Sequence, residues 1–278
     1  MPNPILSDRM LERTATSGPG GPLNPPLTSP RHSPAGAWTP TASEATMTIG
    51  GTCSASALML ALLGVGAWFG WGKVDVVEGV DELGRVVSSA SLTQPAWLMG
   101  SIIVAFVLAM ATVFVPKLAR FTAVPYALTE GIALGVISHL YDAQSSGLAI
   151  QAVIATCGVV AMMLLLYGLR ILRATPRFTK AVVAATFGVA AIYLVAFIAR
   201  AFGSDLGIFS SSSGLSIGFS VVVVAIAAFN LILDFDFIER GSAAGLPKHM
   251  EWYGAFGLIL TVVWLYLEIL RLLAKLRD

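Results

Sequence analysis

The sequence predicts an all-α, polytopic membrane protein, a bundle of seven transmembrane helices behind an irregular N-terminal tail. Three observations carry this. Of 278 residues 56% are hydrophobic and 12% charged, with a mean hydropathy of +0.80, far from the ordinary soluble mix. From Thr52 onward the apolar residues fall into runs of about 20, the length an α-helix needs to cross a hydrocarbon core. Alternating segments of ~10 residues are absent, which leaves helices rather than barrel strands as the spanning elements.

Residues 1–50 hold nine of the 14 prolines, mixed with Ser, Thr and Gly in runs such as GPGGPLNPPLTSPRHSP. Such a composition cannot bury enough apolar surface to offset chain entropy, so this stretch reads as a disordered cytoplasmic tail and 51–278 as the transmembrane domain. It lacks a charged start followed by an apolar run, so no cleaved leader is expected, and Met47 is a second possible start. The expected spans are 52–71, 95–115, 123–142, 148–173, 181–202, 214–238 and 251–273, each bounded by a short polar or Gly/Pro segment. Gly131 and Gly135, and Gly214 and Gly218, repeat at four-residue spacing, which lets helices approach closely in lipid, within one bundle or between two copies.

Orientation follows from Lys and Arg. The tail and the loops after spans two, four and six carry eleven of the 17, and without either terminus the internal loops split eight against Lys73, Arg85 and Arg200. This places the N-terminus inside and the C-terminus outside, although Arg271, Lys275 and Arg277 fall on the outer side. The first external loop, with Asp75, Glu78, Asp81 and Glu82, reads as a solvated acidic loop.

A net charge of +1 gives no footprint for nucleic acid. Cys53 and Cys157 are too few for a disulfide framework or a zinc site, and no stable metal or cofactor is expected. His32, His139 and His249 are scattered, and no hydrolase, metalloprotease or nucleotide-binding motif occurs, so an enzyme is not expected.

The informative residues are ionisable groups inside the hydrocarbon, each costing several kcal/mol unless it finds a partner, water or a proton. Glu130 lies in span three, Asp234 and Asp236 in span six, and Glu268 in span seven. Glu130 and Asp234 each sit seven residues inside the inner boundary, about 10 Å deep. Folding spans six and seven as a hairpin about 245–246 sets residue 234 opposite 257 and leaves Glu268 roughly 16 Å further along. Glu268 then pairs locally with Arg271 at i+3. Asp234 and Asp236 are about 200° apart around the helix, so only one faces the interior. Asn230, four residues before Asp234, marks that stripe, and Asp236 has Arg240 at i+4. Two carboxyls at one depth cannot both ionise cheaply, so a proton shared by Asp234 and Glu130 would hold helices together and its loss would part them. Deprotonated, the same oxygens are hard ligands for a transient Ca²⁺.

The run LDFDFIERGSAAGLPKHMEWYGAFGLILTVVWLYLEILRLLAKL (233–276) resembles the last hairpin of the Bax inhibitor-1/YccA family, particularly its actinobacterial branch. VPYALTEGIALGVIS (124–138) and GLAIQAVIATCGVVAMMLLLYGLRILRATPRFTK (147–180) are similar to that branch's third and fourth helices and basic loop. The resemblance spans 47–276 and implies a seven-helix fold around a central helix, in a bacterial plasma (inner) membrane, with a pH-dependent calcium leak. It also implies a gate made by an aspartyl pair, one from each of the last two helices. Asp234 and Ile238 fall in register with the first; the second position holds Thr261, with Glu268 one heptad later.

The leading expectation is therefore a pH-sensitive cation leak in the lipid bilayer, with Asp234, Glu130, Asn230 and Thr261 as gate and ion path and Asp236 and Glu268 as secondary acids. The alternative is a regulatory or scaffold protein that modulates a membrane protease or other membrane partner through helix faces and the basic loop, without transporting ions.

Overall fold

The computed structural model describes residues 46–80, 86–92, 95–203 and 213–277; the Pro-rich tail up to residue 45 lies outside them. Helix α1 (Ile49–Trp71) starts at an N-cap, Thr48, whose side chain accepts from the Gly51 N–H at 3.0 Å. A β-hairpin follows, β1 (Val74–Val80) against β2 (Val86–Leu92), paired from Val74↔Leu92 to Val80↔Val86. Its tip, with Asp81, Glu82 and Arg85, lies outside the described residues. This hairpin stands where a solvated acidic loop is expected and adds one two-stranded sheet to an otherwise helical chain. Two Val-rich runs flank the acidic stretch, and antiparallel pairing gives their backbone groups partners.

Helix α2 (Pro95–Phe114) leads through a 3₁₀ turn (Pro116–Leu118) into α3 (Ala119–Gln144). Gly147, at φ +78°, makes the tight turn into α4 (Leu148–Gly168). Helix α5 (Pro176–Ala201) opens on a Thr175 cap with Pro at its first position, so Arg177 and Lys180 lie on its first turns rather than in a loop. Helices α6 (Gly214–Ala243) and α7 (Met250–Arg277) form the last hairpin, turned by Gly245 at φ +66°. Both outrun the expected spans, α6 through the polar turn ERGSA and α7 through AKLR at its end.

Among the described residues six helices, all but α2, are long and apolar enough to cross a membrane by length and composition, and α2 adds a shorter apolar stretch, Leu98–Phe114. The chain is an all-α multi-pass membrane protein apart from the hairpin. Helix α7 packs on α1, α3, α4 and α6, so the last span in sequence is the central one in space. One core cluster joins it to α1, α2 and α3 through Met59, Tyr126, Phe256 and Ile259; a second joins it to α4 and α6 through Leu148, Leu231, Leu265 and Leu270. Helix α5 packs chiefly on α6, and little of it is buried, as expected of a helix solvated by lipid.

The tightest pair is α1 against α3. Gly66 and Gly70 of α1 face the Leu128 and Ile132 carbonyls, while Gly131 and Gly135 of α3 face those of Leu63 and Ala67, and a Cβ at any of the four would overlap backbone. The Gly131/Gly135 pair thus works inside the bundle by van der Waals approach of two backbones. Gly214 and Gly218, in contrast, have open space around an added Cβ among the described residues, so no close helix contact there uses their spacing.

Candidate functional site in the α6–α7 seam

Asp234 projects from α6 onto α7. A Cβ added to Gly257 would stand 3.6 Å from its Oδ1, ordinary van der Waals contact, so the carboxyl lies against the residue that the hairpin arithmetic sets opposite. The Thr261 side chain, one turn further along α7 from Gly257, lies beside the Asp234 carboxyl. The carboxyl's Oδ2 is buried with no protein partner, one of two such side-chain atoms among the described residues, the other being the Tyr126 hydroxyl. A buried carboxylate oxygen left without a donor is costly, whereas a neutral carboxylic acid can give its own proton away.

Thr261 suits both states. Its hydroxyl also donates to the Gly257 carbonyl at 3.2 Å. A hydroxyl carries one proton and two acceptor sites. While that proton stays on Gly257, the hydroxyl's lone pairs are free to accept from a neutral acid; turned round, it would have a proton to donate to an ionised one.

Asn230 does not join this pair. Its Nδ2 donates to Thr186 Oγ1 of α5 at 2.8 Å and to the Ile226 carbonyl at 2.9 Å, so it fastens α6 to α5. Asp236 makes its ion pair with Arg240, and Glu239 accepts from the Tyr167 hydroxyl of α4. Glu130 is half-buried on α3, one turn beyond Tyr126. Helices α3 and α6 both pack on α7, and no hydrogen bond or ion pair joins Glu130 to Asp234 among the described residues. Among the described residues no three of His, Cys, Asp and Glu converge as metal ligands.

Glu268 is fully buried, toward the far end of α7. It accepts from Tyr193 of α5 at 2.6 Å and Trp264 at 3.2 Å, and pairs with Arg271 at 3.0 Å. Local i+3 spacing announced the ion pair; the Tyr193 contact needed the fold. Nearby, Lys275 is buried rather than external, its ammonium 2.7 Å from Ser216 Oγ and 2.9 Å from Ser220 Oγ of α6. Its long stem lets a cation near a helix end fold back onto hydroxyls.

At the opposite end the sequence reading missed a latch. The Met47 N–H donates to the Leu246 carbonyl at 2.6 Å, and its side chain, 1% exposed, fills the space beside Gly241 and Gly254. Glu251, at the start of α7, accepts from the Thr48 N–H at 2.9 Å and hydroxyl at 2.8 Å and pairs with Lys248 at 2.8 Å. One carboxylate thereby serves the N-termini of α1 and α7, both favourable places for negative charge. Gly254 is three residues, about 4.5 Å, from Gly257, so Met47 seals the seam roughly one turn beneath Asp234. The sequence signal was a Glu on the first turn after GLPKHM, indistinguishable from a solvated loop acid.

The family model described as Bax inhibitor 1 like matches residues 3–278, and the chain belongs to that family. No curated protein and no solved structure matches it.

Proposed function

We propose that this Bax inhibitor 1-like protein is a pH-sensitive leak for Ca²⁺ that crosses a bacterial inner membrane seven times with its N-terminus cytoplasmic, and that Asp234 is its proton-sensing gate. The observation that carries this is the Asp234 carboxyl, set in the α6–α7 seam beside the Thr261 side chain, with its Oδ2 buried and without a protein partner. While protonated it is neutral and the seam stays packed. Ionised, it costs several kcal/mol in that setting unless water or a cation reaches it, which favours parting of α6 from α7 and loosening of the Met47 seal. The leak therefore rises as pH rises through the titration of Asp234.

The groups around it fit this sign. Thr261 adapts to either protonation state, and the ion pairs Glu251–Lys248 and Glu268–Arg271 lie toward the two ends of α7, where they hold its termini while the middle moves. Glu130 enters as a second carboxyl on the α3 side of α7, where it would affect which cation passes rather than the pH of opening.

The test is calcium flux in liposomes across a pH series. Wild type should leak increasingly toward high pH, and Asp234→Asn, fixed in the neutral form, should stay low throughout. Equal leaks from both at every pH would remove the gating role.

A further inference from the structure

Between α1 and α4, which are not packed on one another, the fold leaves a half-open cavity of about 750 Å³. Leu60, Gly64 and Trp71 of α1 form one wall and Ile150 and Val153 of α4 the other, with α3 and α7 behind. The lining is almost wholly apolar. Its polar groups are spent within the protein: Ser138 and Tyr266 bond each other at 2.6 Å, and Asp142 accepts from the Ala149 N–H at 3.2 Å. An apolar space of this size has nothing to hold ordered water and falls within the range of small-molecule binding sites.

The shape and position of the cavity name its occupant. Leu60 to Trp71 covers about 16 Å of helix, matching the ~15 Å depth of one leaflet's hydrocarbon. Both walls continue into faces left exposed on the outside of the bundle, with Leu60 46%, Ile150 60% and Val153 44% exposed, so the opening faces sideways into the membrane. At the end near the β-hairpin stand Trp68, Trp71 and Asp142, and His139 stacks on Trp71 at 4.4 Å. Tryptophans and a carboxylate at one level mark the headgroup boundary.

We propose that this slot binds one acyl chain of a membrane phospholipid from the leaflet on the hairpin side, admitted laterally between α1 and α4. The chain completes the packing of α3 and α7 where the protein leaves them bare, and its contact with Val262 and Val263 touches the α7 segment next to Thr261. This holds whether or not the protein conducts ions.

The experiment reconstitutes the full chain in phosphatidylcholine carrying a photoactivatable diazirine in one acyl chain and maps adducts by mass spectrometry. Gly64 has open space where a Cβ would be, so Gly64→Phe fills the slot without meeting backbone; Ile150→Trp obstructs it from the other wall. Gly188→Phe on α5, also in open space, is the control. Adducts should concentrate on slot residues and fall at least about fivefold in both obstructing variants, with no change in the control. Adducts spread evenly over all exposed helix faces, or unaffected by obstruction, overturn the proposal. Free fatty acid that displaces the adducts as readily as excess phospholipid would assign the slot to a different ligand and also overturn it.

Discussion

Asp234 of α6 and Thr261 of α7 lie side by side across the seam between the last two helices, a carboxyl beside a hydroxyl. Thr261→Val removes the donor that stabilises the ionised acid while keeping the side chain's shape. Flux at intermediate pH should fall severalfold, with the high-pH plateau retained, because only the ease of ionisation changes. Thr261→Asp should displace the rise in flux to higher pH, since like charges side by side resist joint ionisation. Flux curves that overlay wild type for both variants would show that the contact has no bearing on opening.

The α1–α3 contact depends on four glycines facing backbone. Gly135→Ala should cost about 2 kcal/mol through overpacking. Gly218→Ala, in open space on α6, should be neutral or stabilise by up to about 1 kcal/mol. Unfolding in detergent micelles, followed by circular dichroism, compares them; equal effects would contradict the packing account.

Glu268 receives three donors in a buried setting. Glu268→Ala leaves Arg271 without its carboxylate and should destabilise by about 3 kcal/mol, and Glu268→Leu combined with Arg271→Leu should recover most of it. The pH of opening should stay at the wild-type value, which separates this structural pair from the gate.

Met47 seals the seam from below. Met47→Ala opens a cavity there, should cost about 2 kcal/mol, and should raise the leak at low pH where wild type is tight. Lost stability without added leak would confine Met47 to packing.

Local geometry was legible in the sequence. Asp236 with Arg240 and Glu268 with Arg271 follow from helical spacing alone, and the short α6–α7 loop fixed the register that brings Asp234 to Gly257. Azimuth was not legible. Asn230 shares Asp234's stripe to within about 40°, yet that rotation carries it toward α5 and Thr186. Depth set Glu130 level with Asp234 but could not show that both their helices pack on α7. Lys275 read as an external charge because its stem length, not its position, decides where the ammonium rests.

Composition and periodicity by themselves determined that this chain forms apolar helices in a bilayer and which residues would be costly there, because backbone satisfaction in lipid admits few alternatives. Only the tertiary structure decided which helix is central, that Asn230 turns from Asp234 to Thr186, that Met47 and Glu251 close one end, and that a leaflet-deep slot remains between α1 and α4. Those outcomes depend on how helices rotate and meet, which small residues and single buried contacts set and which one-dimensional spacing does not encode.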